Sequence, residues 1–264
     1  MKEKVPSDCK IPANRFADLI LEVCVILLES GAHCERINRN VQRLAMAVNF
    51  RVDIFLSFTA VSVSVVDLKD NENSSTRNRR VTHLSANFQI LTKVSLLTWN
   101  FVEHPQSIEM LEQQIQEIKC SAKYAVWPVR FFVGIACGSL CLLAGGGIID
   151  GLFAFFASLL GLIVRQEFTK KGFNVMIAVV CSAFVTTTIS GLDVFFNVGT
   201  SPEKAVATAV LFLIPGIPLI NCIIDLIEGY IPTAIARGAF GGFVLLCIAI
   251  GMFLSMHLIG ISKF

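Results

Sequence analysis

Apolar residues in the first half of this chain recur with two different periods, which predict helices and a short sheet. Spacings of three and four residues are typical of amphipathic helices, and strict alternation is typical of strands. The predicted helices lie near 12–31, 36–48, 87–102 and 105–123. The predicted strands lie at 52–58, at 61–65 and from Arg77 onward, with a polar turn at 70–75. Residues 1–123 are therefore expected to form an α+β domain.

After residue 124 the apolar runs become long enough to cross a bilayer, which takes about 20 residues. Five spans are predicted at about 126–144, 147–164, 173–195, 202–227 and 233–258. The fold class is thus a multi-span α-helical membrane protein. Its cytosolic α+β domain (1–123) precedes a five-helix transmembrane domain (124–264).

The fourth predicted span contains the sequence Pro215-Gly216-Ile217-Pro218-Leu219-Ile220-Asn221. Two prolines three positions apart remove two backbone donors and clash with the preceding turn, so the span should be broken at Pro215–Pro218. In hydrocarbon such a break survives only where protein or water covers it. Broken spans often bind the cargo of transporters, although a simple proline kink is the alternative interpretation.

Polar residues inside the spans are the candidates for binding substrate or a coupling ion. Asn221, Asp225 and Glu228 follow the break at i, i+4 and i+7, which places them on one helical face. An ionisable group in a span usually faces a protein interior or a watery cavity, so Asp225 is the predicted proton-coupled group. A half-helix N-terminus after the break would suit a substrate carboxylate.

Further candidates lie on the other spans. Residues 186–188 and Ser190 give the third span a hydroxyl-rich patch, although such hydroxyls can also bond to carbonyls of their own helix. Asp150 and Asp193 fall near one membrane boundary, where either could be an interfacial charge without a role. The complete candidate set is Pro215, Gly216, Pro218, Asn221, Asp225, Thr187, Thr188, Ser190, Asp150, Arg165 and Arg237.

Composition and charge agree with a membrane protein that has a soluble part. Hydrophobic residues make up 54% of the chain, and residues 1–128 hold 29 of its 42 charged side chains. The Lys and Arg residues in the connectors place the N-terminus in the cytosol and the C-terminus outside. No signal peptide is expected at the start. Nine cysteines without paired spacing indicate reduced thiols, and a net charge of +2 gives no reason to expect nucleic acid as a partner.

The sequence lacks the motifs of common enzyme classes. It contains no GxSxG, HExxH, Walker or GxGxxG pattern and no metal-ligand spacing. Adjacent His33 and Cys34 would point about 100° apart on a helix, which is poor geometry for a nucleophile–base pair. Asp18, Glu22 and Glu29 are expected on a solvated face. The sequence therefore predicts a non-enzyme without a cofactor or a metal.

In these features the chain resembles the threonine/serine exporter (ThrE) family, and more closely the larger subunit of its split form (YjjP-like). PGIPLIN followed by Asp225 is the most specific feature. The other matching stretches are 30–36, Gly145-Gly146-Gly147 with Asp150, Val164-Arg165-Gln166, 187–191 and Ala236-Arg237.

The resemblance implies ion-driven export of a small metabolite across the bacterial inner (plasma) membrane. The substrate would be threonine or serine, as in fused members, or a dicarboxylate such as succinate, as in a split form. Fused members carry about twice as many spans, so the resemblance implies a smaller membrane subunit or a homo-oligomer that completes the transporter. A membrane-anchored cytosolic hydrolase and a ligand-sensing scaffold are the alternatives.

Overall fold

The computed structural model describes residues 11–81, 86–120, 124–196 and 198–259. Its helices are α1 (Ala13–Glu29), α2 (Cys34–Val48), α3 (Phe88–Glu103), α4 (Ile108–Lys119), α5 (Val126–Leu143), α6 (Ile148–Lys170), α7 (Val175–Phe196), α8 (Pro202–Ala209), α9 (Gly216–Ile227) and α10 (Ile231–Ile259). The strands are β1 (Phe50–Leu56), β2 (Ala60–Asp67) and β3 (Ser74–Arg80). The described residues form two compact units. The first unit contains the described residues up to 120 together with Ile217–Ala239. The second unit contains residues 124–216 and the described residues from Phe240 onward.

The first unit is built on an antiparallel sheet with the strand order β1-β2-β3. Val52 pairs with Val65 and Ile54 pairs with Val63, so the predicted alternation is present in the register. Val61, Val63 and Val65 are buried, whereas the intervening serines of β2 are partly exposed. One face of the sheet therefore contributes to the core of this unit.

Helix α1 is the centre of this unit. Thirteen of its seventeen residues are buried, because it packs on β2 and β3 and also contacts α2, α3 and α4. A single apolar stripe was expected, but a helix covered on all sides needs apolar residues all round.

The acidic residues of α1 depart from the expected solvated face at one position. Glu22 is buried and pairs with Arg79 and Lys119, while Asp18 pairs with Arg77 at 2.8 Å. Burial alone would raise the pKa of Glu22, but the two cations hold that pKa below its usual value. Glu22 therefore joins α1 to β3 and α4.

In the second unit α6 contacts α5, α7 and α8. A methyl group at Gly138 would lie 2.8 Å from the carbonyl oxygen of Gly151, and one at Gly134 would lie 2.9 Å from the ring of Phe155. These two glycines, four residues apart, therefore bring α5 close to α6. On α10, a methyl group at Gly242 would have no described atom within 4 Å.

The chain is broken between α8 and α9. A 3₁₀ turn, Leu211–Leu213, follows α8, and Ile214 has the extended conformation (φ −61°, ψ 126°) that a residue before proline favours. Pro202–Leu213 and Gly216–Ile227 are bent by 63°. The break between the helices thus covers two residues, Ile214 and Pro215, and is shorter than the predicted break at Pro215–Pro218. Pro218 lies in the first turn of α9, where a backbone N–H has no acceptor within the helix.

The predicted class is confirmed in its coarser form. The described residues are mostly helical, with a small three-stranded sheet. Among them, four helices are long and apolar enough to cross a membrane, namely α5, α6, α7 and α10. The bent pair of α8 and α9 would make a fifth span if it crosses as one unit.

Candidate functional site

Helix α9 has an inverted pattern of burial. Its only buried residues are the polar Asn221 and Asp225, whereas Ile220, Ile223 and Ile227 are exposed. The two polar residues are four apart and so share a face. In a soluble protein the apolar side of such a helix would be covered. An exposed apolar side suits a helix that faces lipid or another protein.

The polar face of α9 binds the backbone of the turn between α1 and α2. Asn221 Nδ2 donates a hydrogen bond to the carbonyl oxygen of Gly31 at 2.9 Å, and the backbone N–H of Cys34 donates to Asp225 Oδ1 at 2.7 Å. Cys34 is the first residue of α2, where unpaired N–H groups and the helix dipole favour an anion. Asp225 therefore caps α2 from 191 residues away in the sequence.

Arg237, near the start of α10, completes this group. Its Nη2 donates to the carbonyl oxygen of Ala32 at 2.9 Å, and its Nη1 lies 3.1 Å from Asp225 Oδ2. Among the described residues these last two atoms have no partner with hydrogen-bond geometry, so they interact through charge. Asp225 is 0% exposed and Arg237 is 4% exposed. We call Asn221, Asp225 and Arg237, with the backbone of 31–34, the α9–α10 cluster.

Two neighbours hold the connector between α9 and α10 in place. Thr233 Oγ1 donates to the carbonyl oxygen of Leu56 at 2.7 Å, and the hydroxyl of Tyr230 donates to Glu35 Oε2 at 3.2 Å. Burial, followed by the negative charge of Glu35, raises the pKa of Tyr230 to about 12. Tyr230 therefore stays protonated and keeps its donor at neutral pH. Glu228 lies outside the cluster and is exposed, since α9 ends at Ile227.

His33 and Cys34 have structural contacts. His33 Nδ1 accepts a hydrogen bond from the backbone N–H of Arg36 at 3.3 Å and so caps α2. Cys34 is fully buried, and this burial, followed by the charge of Asp225, raises the pKa of its thiol to about 12. A thiol that stays protonated is a weak nucleophile.

Thiol labelling tests this arrangement. Because the folded pKa of Cys34 is raised, its thiolate is scarce at neutral pH and becomes populated only as the pH approaches about 12. We expect a water-soluble maleimide to modify exposed Cys120 and to leave Cys34 unmodified at neutral pH, as measured by peptide mass mapping of the full chain. Denaturation should make Cys34 reactive. Rapid labelling of Cys34 in the folded protein would contradict its burial.

The hydroxyls of the α7 patch are of three kinds. Thr186 Oγ1 donates to the carbonyl oxygen of Ser182, and Ser190 Oγ donates to that of Thr186, so both bond to their own helix. Thr188 Oγ1 lies 2.8 Å from Ser255 Oγ on α10. Thr187 Oγ1 is buried and has no hydrogen-bond partner among the described residues.

Asp150 and Arg165 lie at opposite ends of α6. Asp150 is fully buried in the first turn, and its Oδ2 accepts the backbone N–H of Gly147 at 2.6 Å. Arg165 is half-buried, and its guanidinium has no hydrogen-bond or ion-pair partner within the described parts of the chain. Nearby Arg130, absent from the candidate set, is buried and donates from Nε to Gln166 Oε1 at 2.7 Å.

The structure thus brings Asn221, Asp225 and Arg237 together, and Pro215, Gly216 and Pro218 shape the start of α9. Asp150, Arg165 and the hydroxyls of α7 belong to the second compact unit. Sequence reasoning missed the partner of Asp150, which is Asp193. A usable signal existed, because the start of one predicted span and the end of the next lie at the same membrane face.

The sequence model of ThrE, described as "Putative threonine/serine exporter", matches residues 18–259, which is almost the whole chain. The chain belongs to the threonine/serine exporter (ThrE) family. The resemblance inferred from the sequence is therefore confirmed. The matched residues include the α9–α10 cluster, Asp150 and Asp193.

Curated relatives of this chain are named as transport proteins. It is 29% identical over 245 residues to "Probable succinate transporter subunit YjjP" of Klebsiella aerogenes, covering 92% of this chain and 93% of that protein. It is 28% identical over 247 residues to the Escherichia coli K12 protein of the same name, covering 92% and 94%. The "Probable threonine/serine exporter" of Mycobacterium tuberculosis is 22% identical over 254 residues, covering 92% of this chain but 46% of that protein. No solved structure matches this chain.

Proposed function

We propose that this chain is a subunit of a secondary active exporter that moves a small carboxylate-bearing metabolite out across the bacterial plasma membrane. The observation that carries the proposal is the full burial of ionisable side chains in apolar helices. Asp150, Asp193 and Arg237 lie within helices long enough to span, and each is at most 4% exposed. Charges at such positions are costly and typically mark ion or substrate pathways.

The membrane arrangement in this proposal has five spans, with α8 and α9 together forming the fourth. Lys170, the last residue of α6, and Lys171, the first residue of the connector to α7, belong on the cytosolic side by the positive-inside rule. The domain of residues 1–123 would then be cytosolic and the C-terminus outside. The exposed apolar side of α9 supports its placement against lipid or a membrane partner.

The transporter in this proposal has a second component. The two relatives that align along nearly their full length are named subunits, and the Mycobacterium tuberculosis exporter is about twice as long as the aligned part. A smaller membrane subunit, or a second copy of this chain, would supply the missing half. The exposed large apolar residues of α5 and α10 are available for that contact.

The substrate class in this proposal is a small carboxylate, with a succinate-like dicarboxylate ahead of threonine and serine. The support for this order is that the relatives named for succinate align over nearly their whole length. The relative named for threonine and serine matches at lower identity and over less of its length. Arg165, whose guanidinium is unpaired among the described residues, is the proposed contact for a substrate carboxylate.

Two roles compete for Asp225 within this proposal. The sequence predicts a proton-coupled carboxyl. The ion pair with Arg237 and the bond from Cys34 instead favour a structural carboxyl that fixes α9 to α2. We adopt the second role, because both oxygens of Asp225 lie against groups of the α9–α10 cluster.

An efflux comparison tests the transport proposal. Cells with and without this chain are loaded with succinate or with threonine, and external metabolite is measured over time. We expect succinate efflux to slow without the chain and to recover when the gene is restored. A protonophore should abolish the difference, because efflux would then lack its driving gradient. Equal efflux of both substrates from the two strains would refute the proposal.

The same strains distinguish the alternatives. A ligand-sensing scaffold with plain anchoring helices predicts that Arg165→Gln leaves efflux unchanged. The transport proposal predicts that this variant binds substrate more weakly, so that its efflux needs a higher internal substrate concentration. The amount of variant protein in the membrane should be normal. A hydrolase predicts that loaded metabolite disappears in a chain-dependent way without appearing outside. The buried, protonated Cys34 and the capping role of His33 give no support to that alternative.

A further inference from the structure

Two buried aspartates face each other across Gly199 in the second compact unit. Asp150 lies in the first turn of α6 and Asp193 near the end of α7, and both are 0% exposed. A methyl group at Gly199 would lie 1.8 Å from Asp150 Oδ1 and 2.6 Å from each oxygen of Asp193. Asp150 Oδ1 is therefore at most 4.4 Å from either oxygen of Asp193, the sum of 1.8 and 2.6 Å.

Each carboxyl group has one oxygen with donors and one without. Asp150 Oδ2 accepts three hydrogen bonds, from Gly147 N (2.6 Å), Ser201 N (3.0 Å) and Thr200 Oγ1 (3.0 Å). Asp193 Oδ1 accepts one, from Gly199 N at 2.8 Å. The remaining oxygens, Asp150 Oδ1 and Asp193 Oδ2, are buried without a hydrogen-bond partner among the described residues.

The surrounding charged and titratable groups do not neutralise the pair. Glu203 and Lys204 follow on α8, and the buried thiol of Cys141 faces the pair from α5. Glu203 is exposed, and the Lys204 ammonium donates to the carbonyl oxygen of Gly145 at 2.8 Å. Two ionised carboxylates here would bury two like charges with two bare oxygens.

We propose that Asp150 and Asp193 share one proton and that this pair is the site at which the exporter binds its driving proton. The proposal rests on the export function proposed above. The proton adds to Asp193 Oδ2, and the new hydroxyl donates to Asp150 Oδ1. Asp193 carries it because the three donors on Asp150 stabilise that carboxylate as an anion. On release the O–H bond breaks, H⁺ leaves, and no other bond changes.

A proton fits the site better than a metal cation does. Hard cations such as Ca²⁺ take six to eight oxygen ligands, whereas the described part of this pair offers two carboxyl oxygens that are free of donors. A shared proton needs one donor and one acceptor, which these two oxygens supply. The ligand class is therefore H⁺.

The pair also holds the connector between α7 and α8. Gly199, Thr200 and Ser201 all donate to the two carboxyl groups, and α8 begins immediately afterwards at Pro202. Gain or loss of a proton changes the charge of the carboxyl pair that accepts these hydrogen bonds. The proton site is thus joined through hydrogen bonds to the helix that leads into the Ile214–Pro215 break.

Infrared spectroscopy of the purified full chain tests the shared proton directly. We expect the carbonyl stretch of a protonated, buried carboxyl at neutral pH in the wild type, with a shift in D₂O. Asp193→Asn should remove this band, and Glu203→Gln, which changes a nearby exposed acid, should retain it. Absence of the band in the wild type would overturn the proposal without depending on the folding of any variant.

Inside-out vesicles from the native host, which contain any partner subunit, test the coupling role. Asp193→Asn is expected to retain exchange of labelled succinate at equal concentrations and to lose accumulation driven by a pH gradient. Glu203→Gln should retain both activities. Undiminished pH-driven accumulation by Asp193→Asn, or accumulation driven by a sodium gradient in the wild type, would overturn the proposal. If wild-type vesicles transport neither succinate nor threonine, the export function fails, and the infrared result still decides the shared proton.

Discussion

Arg237→Met is expected to lower the free energy of unfolding by about 3–5 kcal/mol, because it leaves the buried charge of Asp225 without its partner. The variant also loses the hydrogen bond from Arg237 Nη2 to the carbonyl oxygen of Ala32. Export should be lost with the fold of the α9–α10 cluster. Thermal unfolding of the purified full chain, beside succinate efflux, measures both effects.

A double-mutant cycle separates the pair from its surroundings. Asp225→Asn alone should be destabilising, and Asp225→Asn with Arg237→Met should cost less than the sum of the single changes, because the residues are in contact. Arg237→Lys keeps the charge but has one ammonium nitrogen in place of Nη1 and Nη2, which make the two contacts of Arg237. We expect its free energy of unfolding to lie between those of the wild type and Arg237→Met. Wild-type stability in Arg237→Met would contradict the structural role of the ion pair.

The same cycle decides the role of Asp225. If Asp225 carries the coupling proton, Asp225→Asn should express and unfold like the wild type and lose only the pH dependence of export. If it is a fixed anion, stability and export should fall together at every pH. The contacts with Arg237 and Cys34 lead us to expect the second result.

Gly251→Ala is expected to destabilise the second compact unit by about 3 kcal/mol, the upper part of the usual range for overpacking. A methyl group there would lie 2.5 Å from the carbonyl oxygen of Val180, 2.7 Å from Ala183 Cβ and 3.0 Å from the backbone nitrogen of Phe184. Two of these atoms belong to the backbone of α7, which cannot move aside as a flexible side chain can. The helices must separate, which also strains the contact between Thr188 and Ser255.

Gly242→Ala on the same helix is the matched control. No atom of the described residues lies within 4 Å of a methyl group at Gly242, so alanine should stabilise α10 by up to about 1 kcal/mol through its helix propensity. The two substitutions should therefore shift the unfolding temperature in opposite directions. Equal shifts would show that α10 does not approach α7 closely at Gly251.

The kinds of helices and strands and their approximate bounds follow from local patterns in the sequence. Long apolar runs predicted α5, α6, α7 and α10, because a helix in hydrocarbon must be apolar over most of its length. Alternation predicted the strands, because successive side chains point to opposite faces of a sheet. Proline predicted the break before α9, because it forces the preceding residue into an extended conformation. These are local properties of the chain.

Which charged groups meet depends on how the helices and strands pack, and local patterns do not predict it. Asp225 was a candidate from its place in an apolar segment, but its contacts with Cys34 and Arg237 join three distant parts of the chain. From the sequence Asp193 could be an interfacial charge without a role, whereas in the structure Gly199 lies between it and Asp150. Periodicity shows which side of a helix a residue occupies, whereas the group that covers that side depends on the packing of other elements. For this reason the sequence predicts the long apolar helices, but it does not predict the Asp225–Arg237 ion pair or the Asp150–Asp193 carboxyl pair.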